Sequence, residues 1–146
     1  MDIQIKPFGT LSHVELYALL RLRSEVFVVE QQCVYQDIDD RDAEALHLLV
    51  EEDGDLAAYL RIFQPEKGGS KASIGRVVVA SSHRKKGLAR RMMQHALEFI
   101  SLHFKVDGVF LSAQVYLKDF YADLGFEEQG EPYLEDGIPH IKMVRA

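Results

Sequence analysis

The sequence predicts a single α/β domain, one mixed sheet with helices packed on it, and three observations carry that prediction. Apolar runs flank two Asp-Gly turns, Asp53-Gly54 and Asp136-Gly137, in the manner of β-hairpins. The segment ASIGRVVVA at 72–80 is dense in β-branched residues, as a strand buried on both faces of a sheet would be. Two stretches, 88–104 and 117–124, carry apolar residues at helical spacing.

The elements follow in order. After an opening strand, Ser12-His13-Val14-Glu15 has the form of a capping box, in which hydroxyl and carboxylate cover exposed amide donors. Leu16, Leu19, Leu20, Val26 and Phe27 then keep helical spacing to about residue 28. The polar segment EQQCVYQDIDDRD has little period and reads as a loop. ALHLLVEEDGDLAAYLRIF supplies two strands around Asp53-Gly54, GGSK turns the chain, and ASIGRVVVA adds the third of the group. Leu88, Met92, Ala96, Phe99 and Ile100 mark a helix to about Phe104, and GVFLSA is a short strand. Leu117, Phe120, Tyr121 and Leu124 stand at i, i+3, i+4 and i+7, a second amphipathic helix that stops before Gly125. FEEQGEPYLEDGIPHIKMV closes the chain as two strands, giving the order β-α-loop-β-β-β-α-β-α-β-β.

Composition narrows the function. A chain of 146 residues is long enough for one domain with a real core, and 47% hydrophobic with 27% charged residues excludes wholesale disorder. No apolar run approaches the ~20 residues of a membrane span. MDIQIKPFGT lacks the basic and apolar regions of a secretory leader, and Cys33 is the sole cysteine, so no internal disulfide forms and a cytoplasmic location is expected. The net charge of −6 argues against a nucleic-acid partner.

Against that acidic balance, HRKKGLARRMM at 83–93 concentrates cationic side chains around Gly87. It directly follows the β-branched strand and opens a helix, whose first turn leaves amide donors unpaired. Strand, glycine turn and helix N-terminus together make an anion site, with backbone N–H groups and helix dipole aimed at phosphate. Gly87 and Ala89 are small enough for close approach, and Arg84, Lys85 and Lys86 add charge. Neither a Walker loop nor a Gly-x-Gly-x-x-Gly fingerprint is present.

Arg84-Lys85-Lys86-Gly87-Leu88-Ala89 matches the Arg/Gln-x-x-Gly-x-Gly/Ala signature of the GNAT superfamily of N-acetyltransferases. It stands after the strand Val77-Val78-Val79 and at the head of a central helix, as in that family, and FYADLGF resembles the family's later aromatic motif. RSEVFVVEQQCVYQDIDDRD, IGRVVV, AQVYLKDFYADLGF and YLEDGIPHIKM together resemble the ElaA-like group of bacterial GNAT proteins.

The resemblance implies a GNAT-type domain over residues 1–146, with a mixed, mostly antiparallel central sheet flanked by helices. It implies an N-acetyltransferase that uses acetyl-CoA as co-substrate, without a metal, on a primary amine of a small molecule or peptide. The amides of 84–89 would hold the coenzyme diphosphate, the backbone of Val77, Val78 and Val79 would pair with the pantetheine arm, and a backbone N–H there would polarise the acetyl carbonyl. Gln114 stands where relatives often have an Asn that contacts the coenzyme. Arg90 and Arg91 either reach the 3′-phosphate or form the solvated face of the helix, and His83 reads as a surface residue. Tyr121 is the candidate general acid for the departing thiolate. Glu30, Asp37, Asp39, His47 and His140 are candidates for the base, with Glu30 first and His140 on the closing strand. Asp37, Asp39, Asp40 and Asp42 either bring negative charge to the groove mouth or are solvated turn residues. Carboxylate partners or helix-surface pairing suffice for Arg21, Arg23, Arg61 and Arg76. A homodimer is an arrangement that such folds often adopt. Two rivals stand beside the enzyme, a non-catalytic acyl-CoA-binding module and a nucleic-acid-binding protein that uses 83–91.

Overall fold

The computed structural model describes residues 1–146. One sheet of seven strands runs through it: β1 (Asp2–Pro7), β2 (Leu46–Glu52), β3 (Asp55–Phe63), β4 (Ala72–Val79), β5 (Val109–Gln114), β6 (Glu127–Glu135) and β7 (Ile138–Arg145). Their order across the sheet is β1-β2-β3-β4-β5-β7-β6. Every neighbouring pair is antiparallel except β4 with β5, which is parallel. Both Asp-Gly hairpins form as expected, with Asp53 and Asp136 beside their glycines in the left-handed region.

Three helices, α1 (His13–Arg23), α2 (Leu88–His103) and α3 (Lys118–Ala122), cover the sheet. The Ser12 box starts α1: Ser12 Oγ accepts from the Glu15 amide at 3.0 Å, and Glu15 Oε1 accepts from the Ser12 amide at 2.8 Å. Helical winding runs past the expected end, widening to a π-helix over Ser24–Glu30. Such widened turns concentrate at functional sites, and this one ends against the cleft described below. The second predicted amphipathic helix is shorter than its pattern: a 3₁₀ turn at Val115–Leu117 leads into the five residues of α3. Leu124 lies beyond it and still packs inward.

Strand alternation sends side chains to opposite faces of the sheet. One face carries Leu48, Leu60, Ile62, Leu111 and Met143 into a core shared with Met92, Met93 and Ile100 of α2. On the other face Leu49, Tyr59 and Val78 meet Leu19, Leu22 and Val26 from α1 and its extension. β1 and β6 form the two edges of the sheet, and β6 is solvent-exposed at every residue.

β4 departs from the expectation of burial on both faces. Ile74 and Val78 are buried, but Ser73, Gly75, Arg76, Val77 and Val79 are only half-covered. Its parallel partner pairs with it only at Ala72↔Val109 and Ser73↔Phe110. Beyond those two rungs the strands part, and the outer half of β4 lines an open seam. On the other side, Tyr59↔Val78 gives way to Arg61↔Gly75, so β4 carries one residue more than β3 and bulges there.

Candidate active site

A cleft of about 710 Å³ occupies the seam. The end of the π-helix, the outer half of β4, the loop at 83–90, the end of β5, α3 and the β6–β7 hairpin all contribute to its walls. Among the predicted site residues, Glu30, Val77, Val78, Val79, Arg84, Lys85, Gly87, Leu88, Ala89, Gln114, Tyr121 and His140 all border it. Lys86 does not; its Nζ turns away to within 4.0 Å of Glu52.

One end suits an anion. Lys85 and Gly87 adopt φ of 64° and 75°, which curls the loop so that α2 starts without a side-chain cap. The amides of its first turn are left to donate to an outside partner. A Cβ built on Gly87 would meet no atom within 4 Å, so the glycine is required by its backbone angle and leaves open space beside the loop. Arg90 lines the cleft and Arg91 stays on the exposed outer side of the helix. Arg84 is engaged elsewhere: its Nη1 and Nη2 donate to Glu30 at 2.6 and 2.9 Å, and its Nε donates to the Val79 carbonyl at 3.1 Å. His83, expected at the surface, is buried at 8% exposure, with Nδ1 2.9 Å from Ser82 Oγ. The local charge pattern hid this, because the 3₁₀ turn at Ser81–His83 folds the ring inward.

The other end carries the titratable groups. Tyr121 is buried, edge-on to Phe120 and Phe126, and burial, followed by the nearby Tyr116, pushes its phenol up. The phenol is therefore protonated throughout the neutral range and available as a donor. His140 Nδ1 donates to the Ile138 carbonyl at 2.7 Å, which turns Nε2 toward Glu135, 3.4 Å from its carboxylate. Gln114 exchanges two long amide hydrogen bonds, 3.3 and 3.4 Å, with Gln31 from the far wall.

The pairing with Arg84 lowers the Glu30 pKa, so its carboxylate is a weaker proton acceptor than an unpaired one. His47 is sealed in the interior: Nε2 donates to the Asp42 carbonyl at 2.8 Å, and Nδ1 accepts from Tyr59 at 2.6 Å. Such a neutral, doubly bonded histidine has no access to a substrate. Asp37, Asp39 and Asp42 do not bring free charge to the groove. Arg23 binds Asp37 at 2.8 Å and Asp42 at 2.7 Å, Arg61 binds Asp39 and Asp42, and Arg76 binds Asp37 at 2.8 Å. Three of the arginines thus have the carboxylate partners that the sequence left open, while Arg21 pairs on the helix surface with Glu25. Cys33 is buried, and its thiol donates to the Asp136 carbonyl at 3.2 Å.

Sequence reasoning passed over Gln31, Tyr35, Tyr116 and Glu135, all of which border the cleft. Gln31 and Tyr35 lie in the aperiodic segment 30–42 and Glu135 beside the second Asp-Gly turn. Loops so placed are where binding residues gather.

The family model described as "Acetyltransferase (GNAT) domain" matches residues 10–146. The chain belongs to the GNAT acetyltransferase family. This GNAT chain is 43% identical to protein ElaA of Escherichia coli over 137 residues, 92% of the chain and 90% of that protein. Two solved structures agree with the fold. An acyl-CoA N-acyltransferase from Pseudomonas aeruginosa is 44% identical, with a TM-score of 0.92 and all of each chain covered. The crystal structure of Escherichia coli ElaA is 40% identical, with a TM-score of 0.93 and 99% of each chain covered. As a GNAT protein the chain is an acyltransferase that takes acyl-CoA as co-substrate and binds an acceptor. An uncapped helix start beside an open glycine fits the coenzyme's diphosphate. No helix is long and apolar enough to cross a membrane.

Proposed function

We propose that this GNAT chain moves an acetyl group from acetyl-CoA to a primary amine by direct attack within a ternary complex. The observation that carries the reading is the continuity of the cleft, which joins the uncapped start of α2 to Tyr121 and His140. Diphosphate binds the amides of residues 84–89, and the pantetheine arm lies along β4 where β5 has left it, taking the place of a missing strand. The amine loses its proton to His140 Nε2 and attacks the thioester carbonyl, whose developing oxyanion is met by a β4 amide. As the carbon–sulfur bond breaks, Tyr121 gives its proton to the leaving thiolate. Burial raises the phenol, so Tyr121 keeps its proton until the thiolate develops beside it. His140 is preferred to Glu30 as base because Arg84 occupies the Glu30 carboxylate. The Cys33 thiol is already engaged with a carbonyl and has no histidine beside it, which supports direct transfer over an acyl-cysteine intermediate.

Calorimetric titration with acetyl-CoA, followed by a turnover screen of primary amines, tests the proposal. Micromolar binding and CoA release that depends on an added amine support it. Binding of longer acyl-CoA in strong preference to acetyl-CoA would overturn the acetyl assignment, and a lag-free burst of CoA without amine would overturn direct transfer.

A further inference from the structure

The bulge in β4 is held in a conformation that its residue type resists. Arg76 takes up the extra residue with φ of +52°, in the left-handed region that side chains other than glycine seldom enter. Glycine would sit there without strain and is present next door as Gly75, yet the position is arginine. What keeps it is its side chain. Arg76 Nε donates to Asp37 Oδ1 at 2.8 Å, and Nη2 donates to the Asp37 carbonyl at 3.0 Å. Its guanidinium stands 5.7 Å from the centre of the Tyr35 ring, and the Tyr35 hydroxyl donates to the same Asp37 oxygen at 3.1 Å. Asp37 is in turn anchored from α1 by Arg23, at 2.8 Å to Oδ2 and 3.0 Å to its carbonyl. A strained backbone persists only where its surroundings over-determine it, and such strain collects at functional sites.

The place matters as much as the strain. Arg76 and Val77 have a register partner on neither side, because β3 skips them at the bulge and β5 has already parted from β4. They border the same cleft as Tyr121 and His140. A backbone amide that a bulge turns toward such a cleft is a donor for an oxyanion, and its direction depends on how the bulge is held.

We propose that Arg76 is a positioning residue: its staple to Asp37 sets the β4 bulge so that a backbone amide there polarises the acyl carbonyl. The inference rests on the acetyl-transfer reading above. Removing the Arg76 side chain leaves Asp37 paired with Arg23 and Tyr35, so no buried carboxylate is stranded and the variant is expected to fold.

The test reads the carbonyl itself. Acetyl-CoA labelled with ¹³C at the carbonyl is bound to the unaltered chain, to Arg76→Gly and to Arg76→Lys, and its stretching band is recorded by difference infrared spectroscopy beside calorimetric affinities. In the unaltered chain the band shifts to lower frequency than in free acetyl-CoA. Arg76→Gly, which removes both strain and staple, should bind acetyl-CoA within threefold while most of that shift is lost. CoA release with the best amine from the screen should then fall tenfold or more. Arg76→Lys keeps the charge without the fork and should fall between the two. A merely structural arginine would instead lower the melting temperature and leave the band of the folded protein in place. An unmoved band or undiminished turnover in Arg76→Gly overturns this inference alone. Failure of the unaltered chain to bind acetyl-CoA overturns the acetyl-transfer reading and this inference with it.

Discussion

Arg84 grips Glu30 through two hydrogen bonds of 2.6 and 2.9 Å, fastening the loop that opens α2 to the end of the π-helical extension of α1. Both side chains are more than a third solvent-exposed, so the pair contributes about 0.5 kcal/mol to stability. Its importance is to hold two walls of the cleft at a set distance.

Glu30→Gln separates that role from base catalysis. We expect the melting temperature to stay within a degree or two, acetyl-CoA affinity to weaken severalfold, and turnover to fall less than tenfold. If turnover instead dropped about 100-fold at unchanged affinity, the base role would return to Glu30.

Tyr121→Phe tests the acid. Positioned proton transfer is worth ~10²–10⁴ in rate, so turnover should drop by about 100-fold or more. Acetyl-CoA affinity should remain within threefold, since the ring and its contacts with Phe120 and Phe126 are retained. Equal loss of affinity and turnover would make Tyr121 a packing residue.

Gly87→Val tests the cradle. At φ of 75° any side chain is strained by about 1–2 kcal/mol, and the valine would also project into the open space beside the loop. Acetyl-CoA affinity should fall at least tenfold by calorimetry, with only a modest loss of melting temperature. Unchanged affinity would mean that the diphosphate binds elsewhere.

Stability should fall with acid in two stages. Burial keeps His47 neutral and its pKa below the usual ~6.5, so the unfolded chain takes up the proton first. Stability is therefore complete above about pH 6.5 and declines below it. The Arg61 guanidinium holds Asp39 below the ordinary carboxylate range. Burial opposes ionisation of Asp42, but Arg23 and Arg61 outweigh it and hold that carboxyl low as well. Both contributions are present above pH ~3.9 and vanish as pH drops through the folded-state values. Melting curves from pH 8 to 3 should show both declines, and His47→Gln should flatten the upper one. Asp42→Asn should cost about 3 kcal/mol or more at neutral pH, because it strips a carboxylate from two buried guanidinium groups.

Much of the fold was legible because short-range rules decide it. The Ser12 box, the two Asp-Gly hairpins and the apolar stripe of α2 are all local patterns, and each formed as read. The loop at 84–89 was equally readable, since a glycine before an amphipathic helix is a local statement about backbone angles. What escaped the sequence depends on partners far along the chain. The pairing of Arg23, Arg61 and Arg76 with Asp37, Asp39 and Asp42 spans 14 to 39 positions and leaves no periodic trace. The inward turn of His83 and the bulge at Arg76 are likewise tertiary events, written in residues that look like ordinary surface charge.

The free edge at β6 has a consequence for how the protein behaves at high concentration. An exposed strand offers a template on which another chain can add, and long bare edges seed aggregation. Here Glu127, Glu128, Glu131 and Glu135 charge the edge, Pro132 removes a donor, and the register break around Gly130 kinks it. The protection is electrostatic as well as geometric, so it weakens when those glutamates are protonated or screened. Crowded, acidic or high-salt conditions are where the chain would begin to stack through this strand.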